Sequence, residues 1–368
     1  MKFFILAMMV LPFMFWSCQN RGNVITIGAI LPLTGDLASF SEPLKRGMNL
    51  AIEEINSKGG INGLKLQVIF EDDRGEPRTA ISAYQKLVNI DNVPMIIGGM
   101  FSASTLAMAP LAQRDQIVLL SPTSSAIEIT DAGDFIFRIY PSDIYDGIFL
   151  AKFAYDNLNA RRIAIVYEQV ASVVAIANKF RSEFESFGGE IVVFDGYNSD
   201  LSDFSSIIRR VSNANPDVVF IPGNLTPMAN LLIQAKQLGF QGQFLTISTF
   251  YDGRILELAR EAAEGVLFSS PMFDLTSDTP EMANFIALYR ERYNTDPSIL
   301  VGYGYDVVRI AALALQNGTT PQEIRNSLRQ IEDFPGVTGN TTFDCNGDVS
   351  KELKIMTVKN GTFVPYIN

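Results

Sequence analysis

Two clusters of small hydroxyl residues are the chain's best candidates for chemistry: Gly98-Gly99-Met100-Phe101-Ser102-Ala103-Ser104-Thr105 and Ser121-Pro122-Thr123-Ser124-Ser125. Each follows a short apolar run, 93–97 and 118–120, of the kind that forms a buried strand, and the first leads into a helical pattern over 105–113. A helix N-terminus carries unpaired N–H groups and the positive end of the helix dipole. With hydroxyl donors beside it, it suits an anionic or acceptor-rich group. Ser and Thr are also preferred helix caps, and Ser125 with Glu128 has the spacing of a capping box. Taken singly, each hydroxyl reads first as a cap. What points to a ligand is that two such exits leave neighbouring strands at their carboxyl ends, where open parallel sheets bind their ligands.

Composition narrows the chemistry further. The 368 residues include no histidine and two cysteines, Cys18 and Cys345. Ser-His-Asp and Cys-His machinery is therefore excluded, as are His-bearing zinc sites. Carboxylate chemistry of the glycosidase kind needs paired acids, and none stand out at the strand ends. There is no phosphate-binding GxxxxGK[ST], and Gly302-Tyr303-Gly304 lacks the third glycine of a dinucleotide fingerprint, so no cofactor is expected. A net charge of −11 without a basic cluster argues against nucleic acid and against anionic lipid surfaces. These exclusions favour a binder of small molecules over an enzyme. Cys345 sits in the turn Asp344-Cys345-Asn346-Gly347-Asp348 and reads as an ordinary turn residue.

At the N-terminus Lys2 precedes an uncharged apolar run from Phe3 to Trp16, then Ser17, Cys18 and the polar Gln19-Asn20-Arg21. This is the pattern of an export signal over residues 1–17, too short for a spanning helix. Cys18 after a small residue resembles a bacterial lipobox, with Phe15 standing where such boxes usually carry Leu. Lipidation at Cys18, simple cleavage and an uncleaved anchor are the three readings, the first preferred. No second apolar run reads as a membrane span.

After residue 23 the elements that must position the hydroxyl clusters alternate as strand and helix. Strands are expected at 24–31, 64–70, 93–97 and 118–120, and again at 163–167, 191–194, 218–221 and 244–247. Helices with apolar stripes separate them, Met228, Leu231, Leu232, Ala235 and Leu238 giving a clear example. Helices at 282–293, 301–316 and 322–330 follow, then strands near 353–358 and 362–365. Two successive βαβ series imply an α/β chain with two doubly wound parallel sheets. A length of 368 residues and an ordinary balance of 47% hydrophobic and 19% charged residues fit two globular domains.

The stretches Ile27-Gly28-Ala29-Ile30-Leu31-Pro32-Leu33-Thr34-Gly35, Gly47-Met48-Asn49-Leu50-Ala51-Ile52-Glu53-Glu54-Ile55-Asn56 and Gly59-Gly60-Ile61-Asn62-Gly63 resemble the opening of the type I periplasmic binding proteins of the Leu/Ile/Val-binding family. The resemblance continues in order through Asp72-Asp73, Ser121-Pro122, Ala263-Glu264-Gly265-Val266, Tyr305-Asp306 and Asn346-Gly347-Asp348. It implies two lobes joined by three crossovers, near 139–142, 269–272 and 336–339. Lobe 1 would hold 24–139 plus 272–337, and lobe 2 would hold 140–271 plus 338–368. The implied role is the extracytoplasmic solute receptor of an ABC transporter. Such a receptor is a monomer serving a membrane permease, and it touches the membrane only through its lipid. A sensory or regulatory receptor of the same fold is the alternative.

Site residues carry over from the resemblance position by position. Ser102 and Ser125 match the pair that holds an amino acid's carboxylate, with backbone near Thr123 and Ser124 contributing, and Phe40 matches an aromatic wall. In the second lobe the two tyrosines and the ammonium-binding acid of the amino-acid binders fall on Ser172, on Asn224 or Leu225, and on Ser248. Asp252 is the one nearby acid that could substitute, although it also reads as a helix cap. An unpaired ammonium is costly to bury. The expected ligand is therefore a carboxylate or other acceptor-rich solute without an α-ammonium, with branched-chain amino acids as the alternative if Asp252 serves.

Overall fold

The computed structural model describes residues 24–367; the expected signal segment and Cys18 lie outside the described residues. Val24–Leu31 (β1) is apolar on both faces. Ile27, Ala29 and Leu31 enter one core and Ile30 another, as a strand covered on both sides must. The chain then alternates through Ala38–Ser57 (α1), Lys65–Asp72 (β2), Pro77–Asn89 (α2), Met95–Ile97 (β3), Ser102–Asp115 (α3), Val118–Ser121 (β4) and Ile136–Arg138 (β5). The five strands form one parallel sheet in the order β2-β1-β3-β4-β5. The short β5 is not among the expected strands; it exists because β4 offers an edge, on which Leu119, Leu120 and Ser121 pair with Ile136, Phe137 and Arg138.

The second series runs Ile144–Asp156 (α4), Arg162–Glu168 (β6), Ala171–Ser186 (α5), Glu190–Tyr197 (β7), Ser205–Ala214 (α6), Val218–Phe220 (β8), Leu225–Gln237 (α7), Gln243–Thr246 (β9), Gly253–Ala259 (α8) and Leu267–Pro271 (β10). Its parallel strands lie in the order β10-β9-β8-β6-β7, repeating the winding of the first sheet. The helices Pro280–Tyr293 (α9), Ile299–Gln316 (α10) and Pro321–Leu328 (α11) return to the first lobe. There Phe285, Val308, Ile310 and Ile324 share a core with Ile27, Ile97 and Leu120. α10 is long and apolar enough to cross a membrane by length and composition, contrary to the sequence expectation, but it is mostly buried as the core helix of this lobe. It crosses α1 with backbone in contact: a Cβ at Gly304 would lie 1.9 Å from the Leu44 carbonyl oxygen, and one at Gly47 would lie 1.9 Å from that of Val301.

A small ribbon, Thr342–Phe343 (β11) with Val349–Ser350 (β12), precedes Leu353–Lys359 (β13) and Thr362–Pro365 (β14). β13 pairs antiparallel with β10, and β14 with β13, which extends the second sheet to seven strands. The third crossover is therefore not near 336–339, and lobe 1 does not end at 337. Phe343 meets the Phe137 ring edge-on at 5.6 Å, and Val349 belongs to the first lobe's core. The chain passes between lobes after Ser350, immediately before β13. The cause is a buried ion pair: Arg138 Nε and Nη2 donate to the two oxygens of Asp348 at 2.6 and 2.8 Å, tying the 344–348 turn to the end of β5.

Candidate ligand-binding site

The exits of β3 and β4 are knotted together by hydroxyls. The Gly99 carbonyl oxygen accepts from Thr105 Oγ1 (3.1 Å), Ser121 Oγ (2.9 Å) and Ser124 Oγ (3.1 Å), while Thr123 Oγ1 donates to the Met100 carbonyl (2.7 Å). Ser124 is buried, with its hydroxyl also 2.8 Å from Thr105 Oγ1. Ser124 and Thr123 spend their side chains on holding the loops, because carbonyls of the neighbouring exit need donors.

Ser102 and Ser125 behave differently. Ser102 is the first residue of α3, so the first-turn N–H groups around it lack partners within the helix. Its oxygen accepts from the Ser125 and Ala126 N–H groups at 3.3 and 3.2 Å, which leaves its own O–H available to donate. Ser125 does not form the expected capping box. The following 3₁₀ turn, Ile127–Ile129, is capped at Ala126 without a side-chain bond. Instead the Ser125 carbonyl accepts from the Asp143 N–H at 2.9 Å. Burial raises the Asp143 carboxyl above its ordinary range, offset by Ser125 and by the charge of Arg138. Phe40, in the first turn of α1, is 49% exposed, so its ring is not spent on the core.

In the second lobe Ser172 lies in the first turn of α5, half-buried. Asn224 caps α7, and its backbone and side-chain N–H groups both donate to Glu168 Oε2 at 2.8 Å. Leu225 packs against the second-lobe core. Asp252 is engaged within its own lobe. It caps α8 by accepting the Arg254 N–H at 2.8 Å, and the Arg254 guanidinium neutralises it at 2.6 Å and holds its carboxyl below the usual range. Ser248 leaves β9 and donates to Asp146 Oδ2 at 2.9 Å, while Ser269 of β10 donates to Asp146 Oδ1 at 2.5 Å.

Sequence reasoning missed Asp143, Asp146 and Glu168. The signal was present in part. Asp143 and Asp146 follow Pro141-Ser142 at the start of α4, and an acid in a first helical turn reads as dipole compensation. A helix that precedes a parallel strand begins at the carboxyl end of its sheet, which places both acids beside the strand exits.

A family model described as periplasmic binding protein matches residues 24–362. The leucine-, isoleucine-, valine-, threonine- and alanine-binding protein of Pseudomonas aeruginosa is 29% identical over 339 residues, spanning 91% of this chain and 90% of that one. A leucine binding protein of Thermotoga maritima has a similar structure, with a TM-score of 0.76 and 29% identity over 93% of this chain and 98% of the other. An ABC transporter substrate-binding protein of Desulfitobacterium hafniense in complex with Leu gives a TM-score of 0.80 at 26% identity, covering 93% and 100%.

Proposed function

The chain belongs to the periplasmic binding protein family, and on that premise we propose that it is the solute receptor of an ABC transporter, closing its two lobes around a small carboxylate-bearing solute. The observation that carries this reading is the pairing of Ser102 and Ser125 at the N-terminus of α3. There a free hydroxyl and free N–H groups meet at the cleft end of the first sheet. Such donors favour a carboxylate, because hydrogen bonds to a charged acceptor are the strong ones. Contacts made to one lobe alone do not favour closure. The ligand must also touch the second lobe, where Ser172, Asn224 and Ser248 stand at the exits of β6, β8 and β9. Relatives whose names carry branched-chain amino acids support a ligand of that size. The export signal and the Cys18 anchor belong to the same reading and rest on the sequence.

Calorimetric titration against leucine and 4-methyl-2-oxopentanoate tests the carboxylate grip. Converting both Ser102 and Ser125 to alanine should weaken binding by about 100-fold or more, since two bonds to a charged group contribute about 1.5–3 kcal/mol each. Wild-type affinity in a double variant whose fold is intact by circular dichroism would place the carboxylate elsewhere.

A further inference from the structure

Asp73 lies behind the carboxylate grip. It follows β2, and its N–H donates to the Leu31 carbonyl at the end of β1 at 3.1 Å. β1 and β3 run side by side, so the exit of β3 comes next. A Cβ on Gly98 would stand 2.7 Å from the Ile30 carbonyl oxygen, and one on Gly99 would stand 2.7 Å from the Ser104 Cβ. Ser104 shares the first turn of α3 with Ser102. Asp73 and Ser104 are both fully buried. Asp73 Oδ1 accepts the Gly75 N–H at 2.9 Å, but among the described residues neither Asp73 Oδ2 nor Ser104 Oγ has a hydrogen-bond partner.

Among the described residues no cation faces this carboxyl, although a buried carboxylate is ordinarily paired with one. On its own segment stand Asp72, whose Oδ1 takes the Leu33 and Thr34 N–H groups, and Arg74, which turns to Asp72 at 4.0 Å. Glu76 and Arg78 are exposed at the start of α2, and the loop before α1, which meets Gly75 through Leu37, carries the exposed Asp36. The ends of β1 and β3, the first turn of α3 and the exit of β4 hold no charged side chain. Burial raises the Asp73 carboxyl above its ordinary range and the Asp72 charge raises it further, against the pull of the Gly75 N–H and the Ser104 hydroxyl. The N-terminus of α3 carries the equivalent of about half a positive charge. Asp73 draws on that end from the buried side, and a solute carboxylate on Ser102 draws on it from the cleft. Two carboxylates that share one site cannot both ionise without cost.

We propose that Asp73 is a proton-linked positioning residue of the grip: a carboxylate settling on Ser102 draws a proton from solvent onto Asp73, so the receptor holds its solute more tightly as the medium turns acid. The inference rests on the carboxylate reading above and deepens it by adding the regulation of that site. Ionised, Asp73 sets a negative charge behind the turn that must hold the solute's own. Protonated, it leaves the N-terminus of α3 to the solute. By linkage, a bound carboxylate moves the Asp73 carboxyl further up from a value already above the ordinary 3.8. Affinity is therefore greatest below the free protein's value and falls as pH rises through the bound protein's value.

Calorimetric titration of leucine and 4-methyl-2-oxopentanoate between about pH 4.5 and about pH 8 tests this, since both carboxylates stay largely ionised over that span. Asp73→Asn keeps an acceptor for the Gly75 N–H and cannot ionise. At about pH 8 it should bind whichever probe the wild type binds about threefold or more tighter than the wild type does, and the two affinities should converge by about pH 4.5. Asp143 and Asp146 titrate in both proteins, so a ratio that changes with pH belongs to Asp73. Ser104→Ala removes the hydroxyl that pulls the Asp73 carboxyl down, and should carry the wild-type loss of affinity to higher pH. That variant decides the matter if Asp73→Asn does not fold. Parallel pH profiles for the wild type and Asp73→Asn, whatever their offset, would make Asp73 a structural residue and overturn the coupling, as would an unmoved profile in Ser104→Ala. Binding of neither probe to the folded wild type would overturn the carboxylate reading, and the coupling with it; binding with parallel profiles overturns the coupling alone.

Discussion

Replacing Asp348 by alanine should cost about 3–5 kcal/mol of stability, because it leaves a guanidinium buried without its counter-ion. The Arg138 side chain is fully enclosed. Besides Asp348 it reaches the Ala126 carbonyl at 2.7 Å and Thr130 Oγ1 at 2.8 Å, and Thr130 in turn donates to Asp348 at 2.7 Å. The pair joins β5, the loop after the Ser125 cluster and the turn before the third crossover, so its loss also releases the segment that positions Ser125. Denaturant unfolding of Asp348→Ala measures the cost. A paired change of Arg138→Met with Asp348→Leu should cost less than the single variant, since hydrophobic replacement removes both buried charges together. A loss under about 1 kcal/mol in Asp348→Ala would show that the ion pair does not hold this junction.

The α1–α10 crossing should be as sensitive. At Gly304 an added Cβ meets the Leu44 carbonyl oxygen at 1.9 Å and the Met48 nitrogen at 3.1 Å, and backbone cannot rotate away as a side chain can. Gly304→Ala must push the helices apart, at about 3 kcal/mol or more, the upper end of what overpacking costs. Gly253, at the start of α8, is the control: nothing lies within 4 Å of where a Cβ would stand, and alanine there should be close to neutral in the same denaturation experiment. Equal stability of the two variants would mean that the helices do not touch through backbone. The crossing bears on function because α1 carries Phe40 and packs on the sheet that presents the Ser102 cluster.

Much of this architecture is legible in the residues. Apolar runs separated by helical stripes announce both sheets, and the hydroxyl clusters at 98–105 and 121–125 fall at the exits of β3 and β4. What the sequence hides is long-range pairing. The third crossover shifts because Asp348 finds Arg138, 210 positions away, which no local pattern announces. Ser124 and Ser102 look alike in a string of hydroxyls; only the position of the Gly99 carbonyl separates the one spent on structure from the one left free. Asp146 escapes notice for the opposite reason: its place in a first helical turn has a sufficient local explanation. Its proximity to Ser248 and Ser269 arises from three separate segments meeting.

The proposed receptor works only if its two lobes close around one solute, and small-angle scattering reads that closure. The radius of gyration is measured on the apo protein and again with whichever of leucine and 4-methyl-2-oxopentanoate binds by calorimetry, at saturation. A smaller radius with ligand is the expected result, because contacts to Ser102 and Ser125 on one side and to the second-lobe exits on the other are made together only when the cleft shuts. An unchanged radius, with binding established separately in the same buffer, would contradict it.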